Sequence, residues 1–266
     1  MHHKQQSTWR LSANLGFLWH DLPLLDRLQC AHDAGFQGVE MHWPYDVSPT
    51  QVAKVCRDLN LTLLSVNTPQ GNQATGDLGL AAQVGRQAEF RQSFQKTLDW
   101  ARQANASMIH VLPGRSGEAE QSHDCFVENL CWASDLIQGE EMTLLLEAMN
   151  PYDRPDYFYH TQEAAYSMIE ACGRDNIRLM FDVYHVGMGQ GNVLNRLRAL
   201  MPQIGHIQIA SVPERQAPDR GEIRYEAVFE ALTLLEYRGW VGCEYCAQEN
   251  VQQEVQRWTQ ALDVSL

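Results

Sequence analysis

The hydrophobic positions of this chain fall in short unbroken runs, and each run ends near a polar residue. The clearest is Thr143–Pro151 (TLLLEAMNP), where three leucines lead into Glu147 and an Asn-Pro pair follows. A short apolar run bounded by breakers is the pattern of a strand buried on both faces, as in a parallel sheet. Pro151 keeps the residue before it extended, so a regular element stops there. The same grammar recurs at LSANLGF with Asn14, GVEMHWP with Glu40, LLSVNTP with Asn67 and MIHVLPG with His110. It continues at LMFDVYH with Asp182, IGHIQIA with Gln208 and WVGCEY with Glu244. The later runs recur roughly every 30 residues, the length of one strand-helix unit. Eight candidate strands of this kind predict an α/β protein, a single (β/α)8 TIM barrel. Its active site belongs at the C-terminal ends of the strands, where the polar residues fall.

Between the runs the period turns helical. Asp21-Leu22-Pro23 opens a helix with a capping residue and an early proline, and Gly35 closes it. Ser48-Pro49 starts a second helix that runs to about Asn60. Arg86–Asn105 is a long amphipathic helix with Phe90, Phe94, Leu98 and Ala101 on one stripe. Further helices are expected around Cys125–Ile137, over Thr161–Cys172 closed by Gly173, over Glu226–Arg238 and over Val251–Val264. The Gly- and Gln-rich stretch Gln70–Gly85 is long for a connection and is expected to be a functional lid. Polar loops are expected at Pro113–His123, Asn150–His160 and Ser211–Tyr225. Gly187–Asn192 (GMGQGN) is either a phosphate cradle or a plain flexible turn; it lacks the Lys-Ser/Thr of a P-loop. Residues 1–8 are expected to form a disordered leader and 9–266 one domain, with no linker or short-period repeat.

Composition narrows the partners. The 266 residues carry 33 acidic against 20 basic side chains, a formal net charge of −13, which argues against nucleic-acid or anionic-membrane surfaces. No apolar run approaches the roughly 18 residues of a membrane span, and the polar start MHHKQQSTWR lacks a secretory signal's apolar core. Seven cysteines without an export signal point to reduced thiols and a cytoplasmic protein. The C-x-x-C of Cys243 and Cys246 is a lone pair and does not predict zinc. A small-molecule substrate is expected, and a homo-oligomer is compatible with the sequence.

The chemistry lies in the strand ends. Glu147, Asp182, Gln208 and Glu244 end four consecutive predicted strands, so they share adjacent quarters of one barrel mouth. Oxygen-only ligation suits a hard divalent cation, Mg2+ or Mn2+, rather than zinc. Such a cation would also relieve the repulsion among the carboxylates. His185 is either substrate-facing or a satisfied structural histidine. Glu40, Asn67 and His110 are expected to face substrate from the earlier strands. Arg215, in the loop after the seventh strand, is either a partner for a substrate carboxylate or a solvated arginine paired with Glu214 or Asp219.

On these residues the sequence resembles the hydroxypyruvate isomerase family of the xylose isomerase-like barrels. The resemblance runs through SANLGFLW, AGFQGVEMHWPYD, NTPQG, GLAAQVGR, HVLPG, LLLEAMNP, FDVYH, HIQIASVPER, GEIRY and GWVGCEY, nearly the whole chain. It implies a metal near Glu147, Asp182, Gln208 and Glu244, with Glu147 and Glu244 shuttling a proton. Two departures stand in the loops that would hold substrate. Gln216-Ala217-Pro218 follows Arg215 where the family commonly shows His-Glu-Pro, and Cys246-Ala247 replaces Lys-Pro. The expected function is isomerisation of a small 2-oxo hydroxy acid, of the hydroxypyruvate–tartronate semialdehyde type. The alternatives are a 2-oxo-tetronate isomerase, a sugar isomerase or epimerase on an uncharged ketose, and a non-catalytic metabolite-binding barrel. A metal-dependent endonuclease is disfavoured by the acidic charge.

Overall fold

The computed structural model describes residues 7–117 and 119–265. Eight strands close into a barrel: β1 (Arg10–Asn14), β2 (Gly38–Glu40), β3 (Thr62–Asn67), β4 (Met108–His110), β5 (Thr143–Glu147), β6 (Ile177–Asp182), β7 (Ile204–Ile209) and β8 (Trp240–Cys243). Every one of the eight expected runs supplies one strand. The ring closes where β1 lies parallel to β8, with Arg10 opposite Trp240.

Successive side chains of a strand point to opposite faces, and this alternation builds the interior. Leu64, Met108, Leu145 and Met180 form a small apolar cluster apart from the main core, with Trp240 packed on it. Two residues after three of them, on the same face, come His110, Glu147 and Asp182. The barrel therefore has an apolar floor and a polar upper layer. The intervening residues, Ile109, Leu144, Leu146, Leu179 and Phe181 among them, belong to the main core between barrel and helices. Strand register levels the polar layer: Asn14 stands opposite Glu40, Asn67 opposite His110 and Asp182 opposite Gln208.

The surrounding helices are α1 (Leu24–Asp33), α2 (Pro49–Asp58), α3 (Gln87–Ala104), α4 (Ala119–Leu136), α5 (Gln162–Cys172), α6 (Val183–Gly189), α7 (Val193–Leu200), α8 (Tyr225–Leu234) and α9 (Val251–Ala261). Three expectations change. Helix α1 begins after Pro23 with no side-chain cap, and α4 begins six residues before Cys125. The Gly187–Asn192 segment is no phosphate cradle, because Gly187 and Gly189 are helical residues of α6. Gly187 serves close packing there: a Cβ would lie 2.7 Å from Ile223 Cδ1.

The Gln70–Gly85 stretch is packed rather than loose. Gly79 N–H donates to Gln70 O, and Ala81 and Ala82 N–H donate to the carbonyls of Leu112 and Pro113. Of the expected leader, residues 1–6 lie outside the described residues, while Ser7 and Thr8 pair in parallel with Val264 and Ser265. Cys131 on α4 and Cys172 on α5 stand with Cα atoms 5.6 Å apart, a spacing that admits a disulfide. Among the described residues no helix is long and apolar enough to cross a membrane.

Candidate active site

A cavity of about 340 Å³ opens over the strand ends. That is the lower end of the roughly 300–1,000 Å³ found for small-ligand pockets, and it suits a ligand of few carbons. Glu147 and Glu244 reach its wall from β5 and just past β8, with His185, Arg215 and Asn67 beside them.

Glu244 is held by three polar side chains. Its Oε1 accepts from Asn14 Nδ2 at 3.0 Å and lies 2.9 Å from His42 Nε2, while its Oε2 accepts from Arg215 Nη2 at 2.8 Å. The same Nη2 lies 3.3 Å from Asp182 Oδ2, so one guanidinium bridges two of the expected metal ligands. The Arg215 guanidinium is stacked between the rings of Phe17 at 4.5 Å and Tyr184 at 4.6 Å. Its backbone has φ 53°, in the left-handed region. The Arg215 carbonyl accepts from Cys246 N–H at 2.7 Å, tying the loop after β7 to the loop after β8. The surface pairing with Glu214 or Asp219 is not made; Asp219 pairs with Arg257 instead, at 2.8 Å.

Glu147 is held loosely by comparison. His110 Nδ1 lies 3.5 Å from its Oε2 and His185 Nε2 lies 3.6 Å from its Oε1. Asn150 N–H donates to His185 Nδ1 at 3.1 Å. This assigns the tautomer: a nitrogen that accepts a hydrogen bond is bare, so Nε2 carries the proton. That proton faces Glu147 and, at 3.7 Å, Asp182. Neutral His185 thereby turns an N–H toward these carboxylates, at distances too long for a hydrogen bond.

Beneath the cavity lies a buried network around Glu40. Its Oε1 accepts from Ser12 Oγ at 2.5 Å and stands 3.0 Å from His206 Nε2; its Oε2 accepts from Gln208 Nε2 at 2.8 Å. Glu40 and His110 are off the cavity wall, so their placement does not put them in contact with substrate as expected. Glu40 instead orients the Gln208 amide and leaves its Oε1 buried without a partner. Glu147 Oε1 is likewise buried and unpartnered.

These orphaned oxygens bear on the expected cation. Glu147, Asp182 and His185 each offer a ligand atom within 4.8 Å of one another. With its proton on Nε2 and Nδ1 engaged by Asn150, His185 does not ligate, and Glu147 and Asp182 supply the carboxylate oxygens that suit a hard divalent ion. Burial and the charges of Glu244 and Asp182 push Glu147 well above the usual carboxylate range. Burial also raises Asp182, to about 7, against the opposing pull of Arg215. Glu244 goes the other way. Burial would raise it, but Arg215 and the His42 bond together hold it below the usual range. Burial depresses His110 to about 3 and lowers His185, keeping both rings neutral.

Several wall residues escape the strand-end pattern. His42 stands two residues past Glu40, so strand parity could have found it. Phe17 and Arg154 line the cavity from loops, where no periodicity marks them.

Comparison with known proteins gives a consistent neighbourhood. Residues 28–262 match the family model described as xylose isomerase-like TIM barrel. A protein named hydroxypyruvate isomerase from Escherichia coli strain K12 is 34% identical over 94% of this chain and 97% of its own. A 2-oxo-tetronate isomerase from Cupriavidus necator is 35% identical over 89% of this chain and 92% of its own. A crystal structure described as an AP endonuclease, family 2, from Brucella melitensis superposes with a TM-score of 0.92 at 32% identity, covering 96% of this chain and 99% of that one.

Proposed function

This chain belongs to the xylose isomerase-like TIM barrel family, and from that premise we propose that it isomerises a small 2-oxo hydroxy acid to its aldehyde isomer. Hydroxypyruvate and tartronate semialdehyde are the simplest such pair, in keeping with the Escherichia coli relative. The observation that carries the reading is the pair of carboxylates on the cavity wall, from β5 and β8, whose environments push them apart. Burial and the neighbouring carboxylates push Glu147 up, whereas Arg215 and His42 hold Glu244 down against the effect of burial. Two titratable groups driven in opposite directions are the signature of an acid and a base working together.

The roles follow from charge. Glu244, ionised and fixed by Asn14, His42 and Arg215, takes the proton from the hydroxyl-bearing carbon. Glu147 returns a proton to the former carbonyl carbon, and the hydroxyl proton moves between the two oxygens, so nothing is gained or lost. His185, neutral with its proton on Nε2, steadies Glu147 and the developing enediolate oxygen. Glu147, Asp182, Gln208 and Glu244 would hold Mg2+ or Mn2+, which when bound polarises the substrate carbonyl.

The Cupriavidus necator relative supports a second reading in which the acid is one carbon longer. Solvent-deuterium incorporation into hydroxypyruvate, a 2-oxo-tetronate and uncharged ketoses, with chelator and with added Mn2+, tests both. Label entering the three-carbon or the four-carbon acid chooses between them. Label entering only the ketoses would transfer the activity to sugar isomerisation. No label in any compound would favour a binding barrel without catalysis.

A further inference from the structure

The site contains more negative than positive groups, and a substrate carboxylate needs a cation that is not already spent. Two arginines line the cavity, Arg215 and Arg154. Arg215 is committed, since its Nη2 bridges Glu244 and Asp182 and its plane is stacked between two rings. Arg154 is exposed, and its side chain makes no hydrogen bond or ion pair among the described residues. We propose that Arg154, in the loop between β5 and α5, is the specificity residue that captures the carboxylate of an acidic substrate.

The loop presents that guanidinium from an ordered base. Asn150 Oδ1 accepts the N–H groups of Tyr152 and Asp153, each at 3.0 Å, and Asn150 O accepts Arg154 N–H at 3.2 Å. The Arg154 carbonyl in turn accepts Tyr157 N–H at 3.1 Å, and prolines 151 and 155 restrict the backbone between them. Asp153, the acidic neighbour, is occupied: its Oδ2 accepts from Asn150 Nδ2 at 3.0 Å and Tyr184 OH at 2.9 Å. Backbone order is thus in place before substrate arrives, and only the side chain of Arg154 has to be fixed on binding. A planar guanidinium matches the two oxygens of a carboxylate, so an acid gains a paired contact that an uncharged sugar lacks. Arg154 lines the same cavity as His185, Glu147 and Glu244, so a substrate held by its guanidinium lies in the chamber that holds the two glutamates.

The inference rests on the acid-isomerase reading, and its test separates the two. Wild type, Arg154→Met and Arg154→Lys would be assayed on hydroxypyruvate and on the uncharged pair dihydroxyacetone and glyceraldehyde. Binding of tartronate, an unreactive dicarboxylate, would be followed by calorimetry. Arg154→Met should raise KM for hydroxypyruvate and weaken tartronate binding by a factor of about 10 or more, the loss of a charged hydrogen bond. Its kcat should stay close to wild type, Arg154→Lys should recover part of the loss, and the uncharged pair should be indifferent to both substitutions. Wild-type KM and tartronate affinity in Arg154→Met would overturn the role of Arg154 while leaving the acid isomerase standing. A wild type that turns over the uncharged pair and not hydroxypyruvate would overturn both.

Discussion

At the scale of single residues, the proposed reaction depends on two carboxylates that share a cavity in different surroundings. Replacing Glu244 or Glu147 by Gln keeps volume and removes the titrating oxygen. Each substitution should lower kcat by at least about 100-fold, with substrate affinity less affected. Near-full turnover by Glu244→Gln would show that the two-glutamate shuttle is wrong. Gly242 tests the support beneath the site. A Cβ there would meet Glu40 Oε1 at 2.1 Å and His206 Nε2 at 2.9 Å, and both partners are fully buried. Gly242→Ala should cost about 1–3 kcal/mol by overpacking, seen as a lower denaturant midpoint. An unchanged midpoint would mean that the Glu40 network can shift without cost. The polar strand ends were legible in the sequence because each interrupts an apolar run. The engagement of Arg215 was not, since stacking between Phe17 and Tyr184 joins three distant segments.

At the scale of elements, the strands were legible and the short helices were not. Burial on both faces makes a barrel strand a continuous apolar run, which stands out at any length. Helix α6 spans seven residues and α7 eight, about two turns each, too few for an apolar stripe to repeat. Asp182 also closes β6 and caps α6, its Oδ1 accepting Tyr184 N–H at 2.8 Å, so no loop separates the two elements. Helix α5 was legible because both its ends carry local chemistry. Thr161 Oγ1 accepts Ala164 N–H at 3.1 Å, and Gly173 at φ 63° closes the C-terminus. Thr161→Ala should therefore lower stability by about 1 kcal/mol while Thr161→Ser keeps it. Chemical denaturation of the two variants checks this, and equal losses would show that the hydroxyl does not cap.

At the scale of the whole molecule, burial of proton-bearing groups sets the alkaline limit. Burial raises Tyr225 and Tyr245 well above the usual phenol range, and it raises the Cys56 thiol to about 11. An unfolded tyrosine ionises near pH ~10, so above that point the native chain binds more protons than the unfolded one. Stability should therefore hold below about pH 8.5, where the unfolded thiol of Cys56 begins to ionise, and fall as pH rises beyond it, more steeply above about pH 10. Denaturant midpoints taken across that range give the slope, and a midpoint unchanged to about pH 12 would contradict the burial. The pairing of Ser7 and Thr8 with Val264 and Ser265, beside the closure of β1 on β8, has its own consequence. In space the strands form a circle, and the segments before β1 and after β8 meet beside its closure. A short linker joining those segments, with a new opening at exposed Gly139 between α4 and β5, would leave every strand between the same two neighbours. Such a circular permutant should fold and turn over substrate like the parent. Which strands are neighbours would then matter more to this architecture than the order in which the chain visits them.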